Sequence, residues 1–514
     1  MYFLSSVIFL PLLGGIVVFC LPREHVSTIR WTALGFAAAE AVLTIALASF
    51  YLTHTTGLFS SSMLHESIPW IPALGIYYSL GLDGISLLLV GLTVLLTLIC
   101  IGASFNIDQR VKNYMAFMLL FECGMLGVFL SSNLFLFYIF WELMLIPAYF
   151  LIGIWGGQQR VYATFKFVLY TSVGSFLMLV GIIALGYYHA QAAGGSCGYS
   201  LELSTLLNTA STCKGVLSGT IQFWLLLAFA AAFVVKVPLV PFHSWLPDAY
   251  SEAPAPVTAL LAGAMSKTGA YGLLRLCIPL FPQAVQTLAP LFDILAVVGI
   301  LYCALMALVQ TDLKRLLGYS SISHLGVIVL GLFAFNAQGV EGSVLQMVNH
   351  GITIAALFLL AGFLETRTGT RQLNAYGGIA SRVPWLAAAM FIAALSSLGL
   401  PGLNSFAGEF LALLGAFRAN VVYGVLGTTV VIPAAWYMLR FFQSTMWGHR
   451  QRQGQVGSSQ QKGTLRDLTI GEWWLLAPLM ALIFYIGIQP AVLTSVLEPS
   501  VLSTMQTLGS AFVR

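Results

Sequence analysis

Four ionisable side chains lie deep within long apolar runs of this sequence, and their types are suited to taking up and releasing protons. They are Glu142, Lys236, Lys267 and Glu409. A charged side chain at the centre of a bilayer costs roughly 2.5–3.5 kcal/mol on insertion scales, so such residues usually face a partner or a wet cavity. We predict that Glu142 and Lys236 form a pair, because pairing offsets both costs and a proton near either residue changes the strength of the pair.

Two histidines lie in equally apolar surroundings. His324 follows a run of serines and His350 precedes Thr353. An imidazole can accept on one nitrogen and donate from the other, which suits a proton relay, although a membrane histidine can also serve only in packing. We predict a track along the membrane plane, with Glu142 and Lys236 first, Lys267 next, then the two histidines and Glu409.

Four further residues are secondary candidates with a structural alternative. His243 can serve only to cap a half-helix. Glu122 and Lys166 are expected nearer the ends of helices, where a long side chain reaches the interface at low cost. Asp248 is expected at a membrane edge.

Composition indicates which solvent surrounds these residues. The chain has 514 residues, of which 59% are hydrophobic and 8% charged, and its mean hydropathy is +0.91. A soluble domain normally carries about 25% charged residues, so the bilayer is the expected solvent and lipids are expected partners. The net charge of +4 is spread along the chain, which predicts no nucleic-acid partner.

Cofactor motifs are absent from the sequence. The seven cysteines form no C-x-x-C and no Cys/His cluster with metal spacing, which predicts no zinc or iron–sulfur site. We also find no G-x-G-x-x-G after a strand and no phosphate loop. The chain is therefore expected to bind no cofactor or metal itself.

The elements that position these residues are predicted to be about fourteen membrane helices in an all-α fold. The apolar runs that meet the length requirement of about 20 residues are 2–21, 31–53, 79–105, 112–130, 132–155, 161–187, 221–246, 254–279, 286–309, 316–335, 341–364, 385–416, 421–446 and 470–490. Most Lys and Arg residues fall in alternate loops, which predicts both termini on the non-cytoplasmic side. The first run lacks a basic start and a cleavage site, so it is expected to be a retained helix.

Two of the predicted helices are interrupted. Pro238 and Pro241 break helix 7, and Pro401 with Gly402 breaks helix 12. A proline removes a backbone donor, and such a break is tolerated at membrane depth only where protein or water satisfies the freed groups. Kinks without function are the alternative, but each break adjoins an ionisable residue.

The spacing of the breaks, five helices apart, predicts an internal repeat. Helices 4–8 and 9–13 would be two inverted five-helix units, a pattern typical of transporters. The predicted divisions are 1–111 (helices 1–3), 112–280 (first repeat), 281–446 (second repeat) and 447–514 (a cytoplasmic loop and helix 14). On the outer side, Cys197 and Cys213 in segment 188–220 could form a disulfide or remain free thiols.

Several motifs together resemble one family, the antiporter-like subunits of respiratory complex I, which are related to Mrp-type cation/proton antiporters. The motifs are F-W-E-L-M-L-I-P at 140–147, K-x-P-x-x-P-x-H-x-W-L-P-D at 236–248, T-D-L-K-R at 311–315, Y-S-S-I-S-H-L-G at 319–326 and H-G at 350–351. Within this family the chain resembles the M type (D type in photosynthetic complexes), because it has Glu409 where the L and N types usually carry lysine.

The resemblance implies a role for each residue. Glu142 and Lys236 would be the coupling pair, Lys267 the central relay and Glu409 the exit or lateral-transfer acid.

It also implies a host. The chain would be the proton-translocating subunit of a complex I-type NAD(P)H or ferredoxin:quinone oxidoreductase in a bacterial inner or thylakoid membrane. Flavin, Fe–S clusters and quinone would lie in partner subunits, and L-type and N-type subunits would be neighbours. The wording of segment 253–267 leans toward hydrogenase-type and antiporter-type members, so a subunit of an Mrp-type antiporter or a membrane-bound hydrogenase is the alternative.

Overall fold

A computed structural model describes residues 2–54, 64–192, 199–212, 217–447 and 465–512. The chain is mostly helical, which confirms the predicted class. Its first part contains α1 Phe3–Cys20, α2 Val26–His54, strands β1 Leu64–Ile71 and β2 Ile76–Leu82, α3 Gly84–Ala103, α4 Val111–Leu130, α5 Leu134–Leu143, α6 Leu145–Trp155 and α7 Arg160–Ala192. Cys197, Cys213 and most of the predicted loop 447–469 lie outside the described residues.

The middle and last parts are also helical. The middle contains α8 Leu203–Thr212, α9 Gly219–Lys236, α10 Trp245–Glu252, α11 Ala255–Leu260, α12 Ser266–Gly272, α13 Ile278–Leu280 and α14 Pro282–Val309. Then follow α15 Leu313–Leu332, α16 Ala337–Thr368, α17 Pro384–Ser397, α18 Asn404–Ala419, α19 Val421–Thr428, α20 Val431–Phe442, α21 Ile470–Ile488 and α22 Ala491–Phe512.

Twelve helical spans in the described part of the chain are long and apolar enough to cross a membrane. Each coincides with one of the fourteen predicted runs. The two runs that are not among them, 254–279 and 385–416, are divided into shorter helices in the structure. The count of fourteen and the inverted relation of the two halves remain predictions.

The predicted helix 8 is interrupted in a way that the sequence did not indicate. Two π-helical segments, Leu261–Met265 and Leu273–Cys277, flank the short helix α12. A π-segment leaves carbonyl groups without their usual helical partners and often marks a functional site. Here α12 carries Lys267.

Two elements depart from the prediction. A β-hairpin joins α2 to α3, with Leu64 opposite Leu82, although no strand was expected. The Glu66 carboxylate of this hairpin accepts from the backbone N–H groups of Leu4 (2.7 Å) and Ser5 (3.1 Å), where an acid complements the positive end of α1. Helix α22 was also not predicted, and Ser500 Oγ within it accepts from the backbone N–H of Gly84 at 3.0 Å.

Helix α16 is the centre of the fold. The whole of its most apolar window is buried, and it packs against α3, α11, α15, α17 and α18. Gly263 and Gly351 meet backbone to backbone between the first π-segment and α16, since an added Cβ at Gly351 would lie 2.7 Å from the Gly263 carbonyl oxygen. Small residues permit such close helix approach, and this contact brings Lys267 next to α16.

Candidate proton-transfer site

The predicted break of helix 7 begins directly after Lys236, the last residue of α9. Residues 237–244, which include Pro238, Pro241 and His243, are not α-helical before α10 begins at Trp245. The freed carbonyl groups find donors within the protein: Trp245 Nε1 donates to Val235 (2.9 Å) and the Leu239 N–H donates to Val234 (3.0 Å). The break is therefore satisfied locally, as membrane depth requires.

Lys236 is buried without a direct hydrogen-bond partner. It is 1% exposed, and its Nζ has no acceptor within hydrogen-bond distance among the described residues. Two aromatic rings lie near the ammonium, with centroids 5.2 Å (Trp141) and 5.8 Å (Phe167) from Nζ. These are cation–π distances, so the ammonium lies against ring faces rather than against an anion.

Glu142 is only partly buried on α5 and does not contact Lys236 directly. Its Oε1 lacks a hydrogen-bond partner among the described residues, and no ion pair between the two side chains is formed. The predicted pair is therefore not a salt bridge in this structure, and the coupling of Glu142 to Lys236 stays a prediction.

Lys267 joins the two halves of the chain. It is fully buried, its Nζ lies 2.8 Å from His350 Nδ1 on α16, and it also donates to the Ala262 carbonyl group, which lies in the π-segment. Its helix packs on the end of α9, because a Cβ added at Gly269 would lie 3.0 Å from Lys236 Cβ. Lys267 therefore stands between the first helix break and the second half.

His350, His324 and Glu409 continue from Lys267 in that order. The rings of His350 and His324 have centroids 5.5 Å apart, and His324 Nδ1 lies 2.6 Å from Glu409 Oε1. All three side chains are buried. The sequence did not order the two histidines, whereas the structure places His350 beside the lysine and His324 beside the acid.

The second predicted break, at Pro401 and Gly402, lies between α17 and α18. Gly399 has φ +71° in this break, and an added Cβ there would lie 3.1 Å from Glu409 Oε2. The loop is therefore folded over the carboxylate, and only a residue without a side chain fits this approach without strain.

Several polar residues around the site were missed by the sequence analysis. Gln346 Nε2 donates to Glu409 Oε1 at 2.8 Å, and Tyr437 and Ser397 approach His324 Nε2, both at 3.4 Å. Asn349 Nδ2 donates to the Asn404 carbonyl (2.7 Å), and Asn404 Nδ2 donates to that of Asn349 (3.1 Å). In the sequence, Asn349 and Asn404 are visible only as amide side chains in apolar runs. The sequence does not show that Asn349 supports the break at Pro401.

One secondary candidate, Glu122, occupies different surroundings from those expected. Glu122 lies midway along α4, is fully buried, and neither carboxylate oxygen has a hydrogen-bond partner among the described residues. The expectation that it reaches the interface is therefore wrong. Glu40 of α2, which was not among the predicted candidates, is also fully buried.

The other secondary candidates lie around α10. Lys166 Nζ forms an ion pair with Asp248 at 2.8 Å, and Arg315 contacts the same carboxylate at 3.2 Å. His243 packs edge-on against Tyr302, with centroids 5.5 Å apart. None of these three connects to the Lys267–Glu409 series by a hydrogen bond among the described residues.

The geometry suits proton transfer between side chains better than bond-making chemistry. Lys267, His350, His324 and Glu409 follow one another over four helical elements, and each group can hold or release a proton. Within the described residues, no three His, Cys, Asp or Glu side chains lie together as a metal site would require.

Comparison with known proteins places the chain among membrane subunits. Residues 131–432 match the family described as NADH:quinone oxidoreductase/Mrp antiporter, TM. Over 505 residues the chain is 37% identical to NADH-quinone oxidoreductase subunit M of Rhodobacter capsulatus, which covers 98% of this chain and 96% of that one.

Solved structures give the same grouping. A chain of respiratory complex I from Thermus thermophilus with bound NADH superimposes with a TM-score of 0.85 at 32% identity, covering 98% of this chain and 99% of that one. A chain of the Mrp complex from Dietzia has a TM-score of 0.79 at 22% identity, covering 98% of this chain and 52% of that one. The second likeness is one of fold alone.

Proposed function

This chain belongs to the NADH:quinone oxidoreductase/Mrp antiporter family, and on that premise we propose that it is the proton-translocating membrane subunit of a complex I-type NAD(P)H or ferredoxin:quinone oxidoreductase. One observation carries the proposal: a buried series of protonatable groups, Lys267, His350, His324 and Glu409, passes from the first half of the chain to the second. A spacer would be more stable with leucine at these positions, because isolated buried charges are costly.

In this proposal the series is loaded from Lys236 and Glu142. A change in charge near Glu142 alters the electrostatic field at Lys236, and a proton leaving Lys236 changes the field at the next lysine. The open arrangement of the pair supports this role, since an ammonium held only by ring faces responds more readily to a nearby charge than one in a closed salt bridge.

Redox chemistry is assigned to partners in this proposal. Flavin, Fe–S clusters and quinone would be bound by other subunits, and L-type and N-type subunits would flank this chain in a bacterial inner or thylakoid membrane. Glu142 is only partly buried, which supports a neighbouring subunit as the source of the charge that acts on it.

A subunit of an Mrp-type antiporter or membrane-bound hydrogenase is the second candidate. The wording of segment 253–267 favours it. Co-purification of the complex separates the two: flavin and Fe–S absorbance together with quinone reduction support the first. The absence of flavin and Fe–S absorbance supports an antiporter, and Fe–S absorbance without quinone reduction supports a hydrogenase.

Replacing Glu142 with glutamine is the test of the proposed function. The substitution removes the charge that acts on Lys236, an interaction worth roughly 1–2 kcal/mol at protein dielectric, and so should slow proton translocation about tenfold. The measurement is dye-reported acidification of sealed vesicles that contain the complete host complex. As a matched control, Glu498→Gln alters an exposed glutamate on α22 and should leave the rate unchanged. Wild-type translocation by the Glu142→Gln complex would overturn the proposal.

A further inference from the structure

A network of ion pairs holds the end of the half-helix α10, away from the proton-transfer series. Its centre is Arg371, in the loop after α16. Arg371 Nη2 lies 2.6 Å from Glu252 Oε1 and Nε lies 2.8 Å from Asp312 Oδ2, while Nη1 donates to the Ser251 carbonyl group. One guanidinium therefore links the last residues of α10 to the residue that caps α15.

Each partner of Arg371 is itself held from a second direction. Glu252 Oε2 accepts from the Gln159 N–H at 2.8 Å, which ties the network to the start of α7. Asp312 Oδ1 accepts from the N–H groups of Lys314 (2.9 Å) and Arg315 (3.0 Å). The planar guanidinium suits such a junction, because its donors have a fixed geometry that an ammonium lacks.

Two basic residues of α15 repeat the connection. Lys314 Nζ contacts Glu365 Oε2 of α16 at 2.7 Å and donates to the Ala253 carbonyl group at 3.3 Å. Arg315 contacts Asp248 of α10, which also pairs with Lys166. Three cations from the second half of the chain, Arg371, Lys314 and Arg315, thus contact α10 or Ala253, the residue that follows it.

Part of the network is shielded from solvent, although Arg371 itself is 25% exposed. The side chains of Glu252, Asp312 and Lys314 are 6%, 10% and 5% exposed, so their interactions are screened far less than those of surface pairs. Burial raises the pKa of the Asp312 carboxyl, and the Arg315 N–H and the Arg371 guanidinium lower it. The ionised form of Asp312 is therefore stabilised by the Arg315 N–H and the Arg371 guanidinium.

The position of α10 indicates what the network does. The helix lies between the break that follows Lys236 and the interrupted helix that carries Lys267, and it packs against α7 and α15. Helix α15 carries His324. The network accordingly holds α10, which lies between Lys236 and Lys267 in the sequence, against the helix that carries His324.

We propose that Arg371 is a positioning residue that keeps the lysines of the first half and the histidines of the second half in register during proton transfer. This inference rests on the proposed function. Without the guanidinium, α10 would be held to α15 only by the Arg315–Asp248 pair and by the contact of Lys314 with Ala253, and the contact between Lys267 and His350 would be made in only part of the molecules.

The test compares Arg371→Gln, Glu252→Gln and the double variant with Arg367→Gln in the complete host complex in sealed vesicles. Arg367 is a matched control in the last turn of α16, because it also forms a short ion pair, with Glu472 of α21, but does not reach α10. We expect normal assembly and quinone reduction. Protons moved per quinone reduced should fall about fivefold, a typical coupling factor, in either single variant and no further in the double, with no fall in Arg367→Gln.

Three results would overturn the inference: wild-type translocation in Arg371→Gln, an equal loss in Arg367→Gln, or additive losses in the double variant. If Arg371→Gln does not assemble, Glu252→Gln carries the test, since it is isosteric and keeps an acceptor for the Gln159 N–H. Glu142→Gln is measured in parallel. If Glu142→Gln slows translocation and Arg371→Gln leaves it at the wild-type value, only the positioning role fails, whereas wild-type behaviour of both means that the proposed function fails.

Discussion

Replacing Glu409 with glutamine should reduce proton translocation about 100-fold, the effect expected when a positioned acid–base group is removed. The glutamate accepts hydrogen bonds from His324 (2.6 Å) and Gln346 (2.8 Å) through the same oxygen. Glutamine has nearly the same shape and retains an acceptor oxygen, but it cannot take up the proton that His324 would pass on. The measurement is the initial rate of acidification in sealed vesicles, normalised to quinone reduction.

Glu341→Gln is the control for this substitution. Glu341 lies near the start of α16 and is only partly buried, so it tests whether loss of any acid near this helix affects the rate. We expect wild-type translocation from it. Equal rates in the Glu409→Gln and wild-type complexes would exclude Glu409 from the proton path.

Replacing Lys236 with methionine should have opposite effects on function and on stability. Translocation should fall about 100-fold, because the ionisable group between Glu142 and Lys267 is lost. The free energy of unfolding should rise by about 1 kcal/mol, since replacing a buried charge by a well-packed apolar group is often stabilising. Lys236 donates to no acceptor among the described residues, so the substitution leaves no hydrogen-bond acceptor without its donor. Thermal unfolding of the purified complex measures the second effect.

Lys314→Met provides the contrast in stability. This lysine is also buried, but it contacts Glu365 and the Ala253 carbonyl group. Removing one member of such a pair should lower the free energy of unfolding by about 3 kcal/mol. If Lys236→Met destabilises the complex as much as Lys314→Met does, Lys236 has a structural partner and its proposed role is wrong.

The sequence predicted the breaks because their cause is local. Pro238 and Pro401 disrupt helical hydrogen bonding wherever the chain folds, and the structure places breaks beside both. The π-segments around Lys267 have no such signature. They occur where Gly263 meets Gly351 of α16, a contact made by residues far apart in the sequence.

The residues of the candidate site could be predicted from local sequence, but their contacts could not. An ionisable residue in an apolar run is visible in the sequence, so all six residues of the track could be named as candidates. Their contacts could not be predicted, because the sequence does not indicate that His350 lies beside Lys267 and His324 beside Glu409. Asn349 and Asn404 were missed for the same reason, since each matters only through the other.

Helix α22 and the hairpin were not predicted, because weakly apolar segments give no clear membrane-helix pattern in the sequence. The residues of α22 include Glu498, Pro499 and many hydroxyl side chains, which do not predict a membrane helix. Its order comes from packing on α3 and α16. In proteins most helical stability comes from such tertiary packing rather than from propensity.

In the proposed mechanism, protons cross from the first half of the chain to the second at Lys267 and His350. The most direct test is the number of protons moved per quinone reduced by a Lys267→Met complex in sealed vesicles, with Lys112→Met at the start of α4 as the control lysine. We expect a value at least about tenfold below wild type for Lys267→Met and a wild-type value for Lys112→Met. A wild-type value for Lys267→Met, in a complex that assembles and reduces quinone normally, would contradict it.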